Sequence, residues 1–436
     1  MKIFHLGPIK RSVFLSLSTF QFLRFVRWGI FYSFMYLYLY ALIGTVTLTA
    51  LLGTFNMIAS TLGQNLIWGR VSDKYKLRAK LVIIGESLAG FFYVGVFYVH
   101  RYFLNISNSF AAGLAIIIGL STLEFFWSMS DVGWAALLTD ITTPGIRGST
   151  VGMLNFIGSI GRLIGIGFAG FLYNNGMGFS EGTIFYIVSA MLFSGSLVML
   201  ISSRAARPTP VKAELSIGFS KETDKTKGRL YLWFFASLAV VILGATSINQ
   251  VFLIFLRLPE GLNANDPEVS LILTMWTIGG MMASVLSGRL SDMIGKTRVL
   301  LYGFMLASVI PLLYGVVPSV VIMAAVYGLS GVASWMVQTV GFAFMGDIIP
   351  STHRGRLFSV YNAIMSLAWG PAGLLIGGPL ADIQTEILGL TRHTAYVHAF
   401  IASSTITLTG TILFFVKVKR KHTRAQECIE PCCSDS

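Results

Sequence analysis

The chain has 436 residues, 54% of them hydrophobic and 12% charged, at a mean hydropathy of +0.73. A soluble chain carries about twice that charged fraction, so water alone is excluded as the solvent for its surface. The formal charge of +13 does not signal nucleic acid, because the basic residues gather in short loops between apolar runs instead of on one polar domain.

A membrane-spanning helix needs roughly 20 mostly apolar residues. Twelve such segments follow in chain order, near 16–41, 46–69, 80–99, 110–138, 148–173, 183–203, 230–256, 268–288, 299–317, 319–346, 357–381 and 396–416. The run from 12 to 69 is too long for one span and is split at Gly44-Thr45. Helices satisfy their own backbone hydrogen bonds in lipid, so the fold class is an all-α membrane protein. The expected domains are an N-terminal six-helix bundle over 1–203, a linker over 204–229, a C-terminal six-helix bundle over 230–416 and a tail over 417–436. The linker is the only long polar stretch between spans; it holds Pro208, Pro210 and the run Lys221 to Lys225.

Lys and Arg orient the spans. With twelve helices and both ends on one side, that side receives Lys2, Lys10 and Arg11, the Arg70 to Lys80 cluster, Arg147, the linker cations, Arg289, Lys296, Arg298, Arg354, Arg356 and the tail cluster. The other side receives only Arg101, Arg257 and Arg392. Basic loops stay in the cytoplasm, so both termini are expected there, in a multi-pass protein of the plasma membrane. Cys428, Cys432 and Cys433 lie in the tail, so no disulfide framework orders the core. The histidines show no metal-ligand spacing, and no Gly-rich segment carries the Lys-Ser/Thr of a P-loop. No cofactor or metal is expected. Asn105-Ile106-Ser107 is a glycosylation sequon in a predicted outer loop.

Two repeats mark a duplication. Gly69-Arg70-Val71-Ser72-Asp73, followed by Lys74, returns 219 residues later as Gly288-Arg289-Leu290-Ser291-Asp292. Asp140-Ile141, Arg147-Gly148, Asn155, Ser159 and Gly170 return at an offset of 207 as Asp347-Ile348, Arg354-Gly355, Asn362, Ser366 and Gly377. Repeated halves in transporters form two bundles that rock about a central site.

These loops, the twelve spans and the long middle loop resemble the major facilitator superfamily over nearly the whole chain. The family's loop between its second and third helices reads Gly-x-x-x-Asp-Arg-x-Gly-Arg-Arg/Lys. The second copy here keeps Gly288, Asp292, Gly295 and Lys296, with Met293 in place of Arg; the first keeps Gly69 and Asp73, with Lys74 for Arg and Lys76 at the glycine position. The resemblance implies a small-molecule transporter working by alternating access, not an enzyme, and acting as a monomer in the lipid bilayer. It also implies that Asp73 faces the helix start at Arg354-Gly355, and Asp292 the start at Arg147-Gly148, as conformational latches.

Charges inside apolar segments are costly and mark function. Glu124 and Asp131 lie two turns apart on one helix face, ~24 Å and ~13 Å from the Asp140 end, and Arg162 lies ~21 Å along the next helix. Arg162 is thus expected to reach toward one of these acids. An acid beside an arginine can load and release a proton as its surroundings change, so Asp131, Glu124, Arg162 and Arg27 are the candidates for proton coupling or substrate contact. Arg24 and Arg27 are also placed to snorkel toward the surface, and Glu86 reads as packing polarity. The resemblance places the substrate cavity on helices 1, 4, 7 and 10, where Trp28, Tyr32, Asn249, Gln250, Trp335 and Gln338 stand; Trp369 is the 207-offset counterpart of Arg162. Aromatics with acids suit efflux of amphiphilic, drug-like cargo, and aromatics with amides suit uptake of sugars or similar solutes. A transporter-shaped receptor is the reading from a different class.

Overall fold

The computed structural model describes residues 11–142, 144–205, 224–348 and 354–419. Among these, every regular element is helical. In chain order they are α1 (Arg11–Ile43), α2 (Val46–Tyr75), α3 (Arg78–Asn105), α4 (Ser109–Ile141), α5 (Pro144–Tyr173) and α6 (Thr183–Ala205). The second series is α7 (Asp224–Thr246, resuming at Asn249–Arg257), α8 (Asp266–Ile294), α9 (Lys296–Tyr314), α10 (Val320–Ile348), α11 (from Arg354 to Ile387, in pieces) and α12 (Arg392–Phe414).

Eleven of these are continuous enough and apolar enough to cross a membrane. The exception is α11. It breaks after Trp369, where Gly370 takes φ −177° and ψ −39° and Pro371 follows. Proline cannot donate to the preceding turn, so the helix restarts as a π-helical turn over Gly373–Gly377. The expected turn between the first two spans falls at Gly44, which has φ +86°, a conformation that costs glycine nothing.

The helices cluster into two compact units. In the first, α3 packs along α4 and α6, and α1 packs along α5 and α6. Its aromatic centre is Phe31, Tyr93, Phe179 and Phe185, all fully buried. Backbones of α1 and α5 meet closely: a Cβ on Gly165 would lie 2.2 Å from the Val26 carbonyl oxygen. Small residues that let two helices touch through their backbones are a common way to join membrane helices. In the second unit the same pairings recur, with α9 against α10 and α12, and α7 against α12. Its centre is Phe234, Phe304, Phe344 and Phe414. The matched packing of α3 with α4 and of α9 with α10 is what a duplicated sequence should give.

The two repeated loops turn in related ways. Gly295 has φ +91°, and Lys76, at the corresponding glycine position of the first copy, has φ +51° and ψ +35°. A side chain in this left-handed region costs about 1–2 kcal/mol. Lys76→Gly is therefore expected to raise the thermal unfolding midpoint of the purified protein, offset in part by the greater freedom of glycine in the unfolded chain. A lowered midpoint would show that Lys76 contributes more through its side chain than it loses in backbone strain.

Candidate functional site

The first unit holds a connected set of charged and aromatic side chains in the middle of its helices. Arg24 and Arg27 stand three residues apart on α1, one turn, and so share a face. Both guanidinium carbons lie 4.7 Å from the centre of the Trp127 ring on α4. Arginine stacks on an indole face because the ring's negative quadrupole attracts the cation. Arg24 also forms an ion pair with Asp131, one turn beyond Trp127 on the same helix. The Trp127 indole N–H donates to Glu86 Oε1 on α3 over 2.8 Å, and Ser130 Oγ donates to the same oxygen over 2.7 Å. Arg27 Nη1 donates to the Tyr93 hydroxyl over 3.2 Å.

The charges differ in access. Arg27 is 3% exposed and Glu86 2%, whereas the Arg24 and Asp131 side chains are 15% and 27% exposed. Glu124 is half-buried and lies within electrostatic reach of Asp131, Arg27 and Arg24. Arg162 lies with its guanidinium carbon 4.3 Å from the centre of the Trp28 ring. The embedded set thus has a sealed part, around Glu86 and Arg27, and a more accessible part, around Asp131, Arg24 and Glu124. A buried acid with two donors and a nearby cation is held in place; an accessible acid beside an arginine can exchange its proton.

Several sequence expectations change here. Asp131 pairs with Arg24 of α1, and Arg162 is set against Trp28. Arg24 and Arg27 do not snorkel outward; both point at Trp127. Glu86 is more than packing polarity, since it ties α3 to α4 through two hydrogen bonds. Sequence reasoning missed Trp127, Ser130 and Tyr93. Trp127 carried a signal: it stands between Glu124 and Asp131 at helical spacing, on the face those acids share.

In the second unit the expected cavity residues lie on two pairs of helices. Asn249 is exposed and donates from Nδ2 to the Ala368 carbonyl over 3.3 Å. Gln250 is buried at the break in α7, against Gly373 of α11. Trp335 is half-buried against Gly280 of α8, and Gln338 is exposed on α10. The Trp369 side chain lies outside the described residues.

The repeated loops hold a local ion network. Arg78 Nη1 bonds Asp73 Oδ1 over 3.2 Å and Ser72 Oγ over 2.6 Å, while Arg78 Nε bonds Asp140 Oδ2 over 3.1 Å. In the second copy Lys296 Nζ bonds Asp347 Oδ2 over 2.5 Å. A cation at the start of the third helix of each half therefore holds the acid at the end of the fourth. Asp73 and Asp292 are both exposed, Gly69 and Gly288 sit half-buried one turn before them, and Lys74 lies 5.2 Å over the Tyr75 ring. The side chains of Arg147 and Arg354, at the expected partner helix starts, lie outside the described residues.

The sequence pattern described as Major Facilitator Superfamily matches residues 234–427. An uncharacterised MFS-type transporter of Methanocaldococcus jannaschii is 29% identical over 142 residues, 33% of this chain and 36% of that protein. The matched stretch thus spans about a third of that relative's length. A multi-drug resistance efflux pump PmrA homolog of Lactococcus lactis is 21% identical over 84% of this chain and 83% of that protein. Among solved structures, a bacterial homolog of the human lysosomal transporter Spinster superposes with a TM-score of 0.67 at 13% identity, covering 95% of this chain and 98% of that one; this likeness is one of fold.

Proposed function

We propose, for a chain that belongs to the major facilitator superfamily of membrane transporters, that it exports amphiphilic small molecules in exchange for protons. The observation that carries this reading is the accessible Arg24–Asp131 pair beside Glu124, inside helices that span the membrane. An acid whose arginine can be drawn away has two stable states, ionised and paired or protonated and free. A change in solvent access that favours one over the other couples a proton to the motion. Lipophilic cations fit the same site, because they can compete with Arg24 for Asp131 while their apolar body rests on Trp28 and Tyr32. The likeness to the efflux pump homolog supports the direction, and the Lys and Arg distribution supports a plasma membrane protein with both termini in the cytoplasm.

The test is reconstitution in vesicles with a pH-sensitive dye inside and an imposed pH gradient, across a panel of lipophilic cations, nucleosides and sugars. Addition of a lipophilic cation is expected to drive proton movement that empty vesicles lack. Proton movement with sugars alone would replace export by uptake of polar solutes. No cargo-dependent proton movement with any compound would overturn the coupling.

A further inference from the structure

Two arginines share one indole, and they differ in how they are held. Arg27 is sealed: it is buried, donates to the Tyr93 hydroxyl over 3.2 Å and lies within electrostatic reach of Glu86. Arg24 is half-buried, and its head meets the ring of Trp127 and the carboxylate of Asp131, which is half-buried as well. Trp127 and Asp131 stand four residues apart on α4 and so share a face. The ring does not need Arg24 to keep its place, because its indole N–H is fixed on Glu86 Oε1 over 2.8 Å.

A ring face beside a carboxylate is a recognition site in its own right. The face attracts a cation through the ring quadrupole, and the carboxylate takes N–H donors, two at a time from a planar fork. A guanidinium meets both demands in one group, being flat, weakly hydrated and edged with donors. A primary ammonium has donors but is a strongly hydrated point charge. A quaternary ammonium suits the ring and has no N–H for the carboxylate. Helix α1 continues the site past the Arg24 head. Trp28 and Tyr32 follow Arg24 at intervals of four residues, on the same face of α1, with ring centres 6.4 Å apart. An apolar body attached to a cation in the place of the Arg24 head has these two rings to lie along.

We infer that Arg24 is a tethered stand-in for the head of the cargo, and that the cargo class is a flat guanidinium or amidinium on an apolar body. The inference deepens the transport reading above and rests on it, since a bound cation is cargo only in a carrier. Arg24 and the cargo head compete for the same two groups, Trp127 and Asp131. Because it is attached to the chain, Arg24 competes at a high effective concentration. It lowers the affinity for the head it resembles, and it returns to Asp131 when the cargo departs.

Binding tests this without transport. The full chain in lipid nanodiscs is titrated with octylguanidinium, octylamine and octyltrimethylammonium, read by calorimetry against empty nanodiscs; the shared octyl chain matches their affinity for lipid. Arg24→Ala is expected to bind octylguanidinium about tenfold more tightly than the parent, the order of a hydrogen bond to a charged group regained. Octyltrimethylammonium is expected to gain about twofold or less, from the freed ring face alone. Adding Asp131→Asn to Arg24→Ala is expected to remove the octylguanidinium gain. If Arg24→Ala does not fold, Arg24→Gln, which keeps a donor for Asp131 without the charge, is read in its place. No gain in a folded Arg24 variant would show that Arg24 does not hold the cargo's place. An equal gain for all three compounds, or a gain that survives Asp131→Asn, would overturn the guanidinium class. Octylguanidinium that binds as stated but drives no proton movement in vesicles would defeat the transport reading and leave the site standing.

Discussion

Asp131→Asn is expected to abolish cargo accumulation driven by a pH gradient while leaving downhill exchange of cargo across the same vesicles. Asparagine cannot carry a proton, so the gradient loses its point of entry; the helices that move cargo are untouched. The substitution also strands Arg24 from its ion-pair partner, leaving it stacked on Trp127 and within electrostatic reach of Glu124. Removing one member of a fully buried ion pair costs about 3–5 kcal/mol. The Arg24 and Asp131 side chains are 15% and 27% exposed, so about 2 kcal/mol is the better expectation here, water meeting part of the lost partner. The double variant Arg24→Met with Asp131→Asn removes the stranded charge. It is expected to recover the thermal midpoint without recovering gradient-driven accumulation. That split separates the two roles of Asp131, since a merely structural acid would regain both. Gradient-driven accumulation by a folded Asp131→Asn protein would exclude Asp131 as the coupling group.

Glu86→Ala is expected to fail at folding, before transport is reached. Glu86 accepts from Trp127 and Ser130 and lies within electrostatic reach of Arg27. Alanine leaves a donor on each of the first two without its partner and removes a compensating charge from an arginine that is 3% exposed. Such an uncompensated buried cation costs about 3–5 kcal/mol, and the stranded donors add to it, against a total stability of only about 5–15 kcal/mol for ordinary proteins. The expected result is loss of a monodisperse species on size exclusion in detergent. Glu86→Gln keeps an oxygen for the Trp127 indole and is expected to fold with a lowered midpoint. A Glu86→Ala protein as stable as the parent would mean that the cluster around Trp127 does not depend on this carboxylate.

The sequence made some of this plain and hid the rest, for physical reasons. Repeated loops are local in the chain, so Gly69 to Asp73 and Gly288 to Asp292 could be matched by eye, and the spans between them could be counted. The break in α11 at Gly370-Pro371 lies inside the span expected over 357–381, although proline's constraint is local and can be seen in the sequence. The break in α7 at Ser247-Ile248 carried no such marker: Asn249 and Gln250 were visible as amides, but not as the restart of a helix. Arg24 and Asp131 are 107 residues apart. Depth along each helix could be counted, whereas the rotation of each helix and the choice of neighbours could not. Depth alone suggested Arg162 as a partner for the acids; the packing of α1 brought Arg24 to Asp131.

The embedded charges have an electrical consequence. Among the described residues, those two turns or more from either helix end are Arg24, Arg27 and Arg162 against Glu86, Glu124 and Asp131, all in helices of the first series; α7 to α12 have none there. Three cations against three anions sum to zero. One uncompensated charge crossing the membrane would cost or gain about 2.3 kcal/mol per 100 mV. With every acid ionised, this balanced set feels no net pull from the membrane voltage as its helices move. Voltage then acts only through what is added, a proton on one acid or a charge on the cargo, and the cell's potential enters the cycle as a measure of what is being carried.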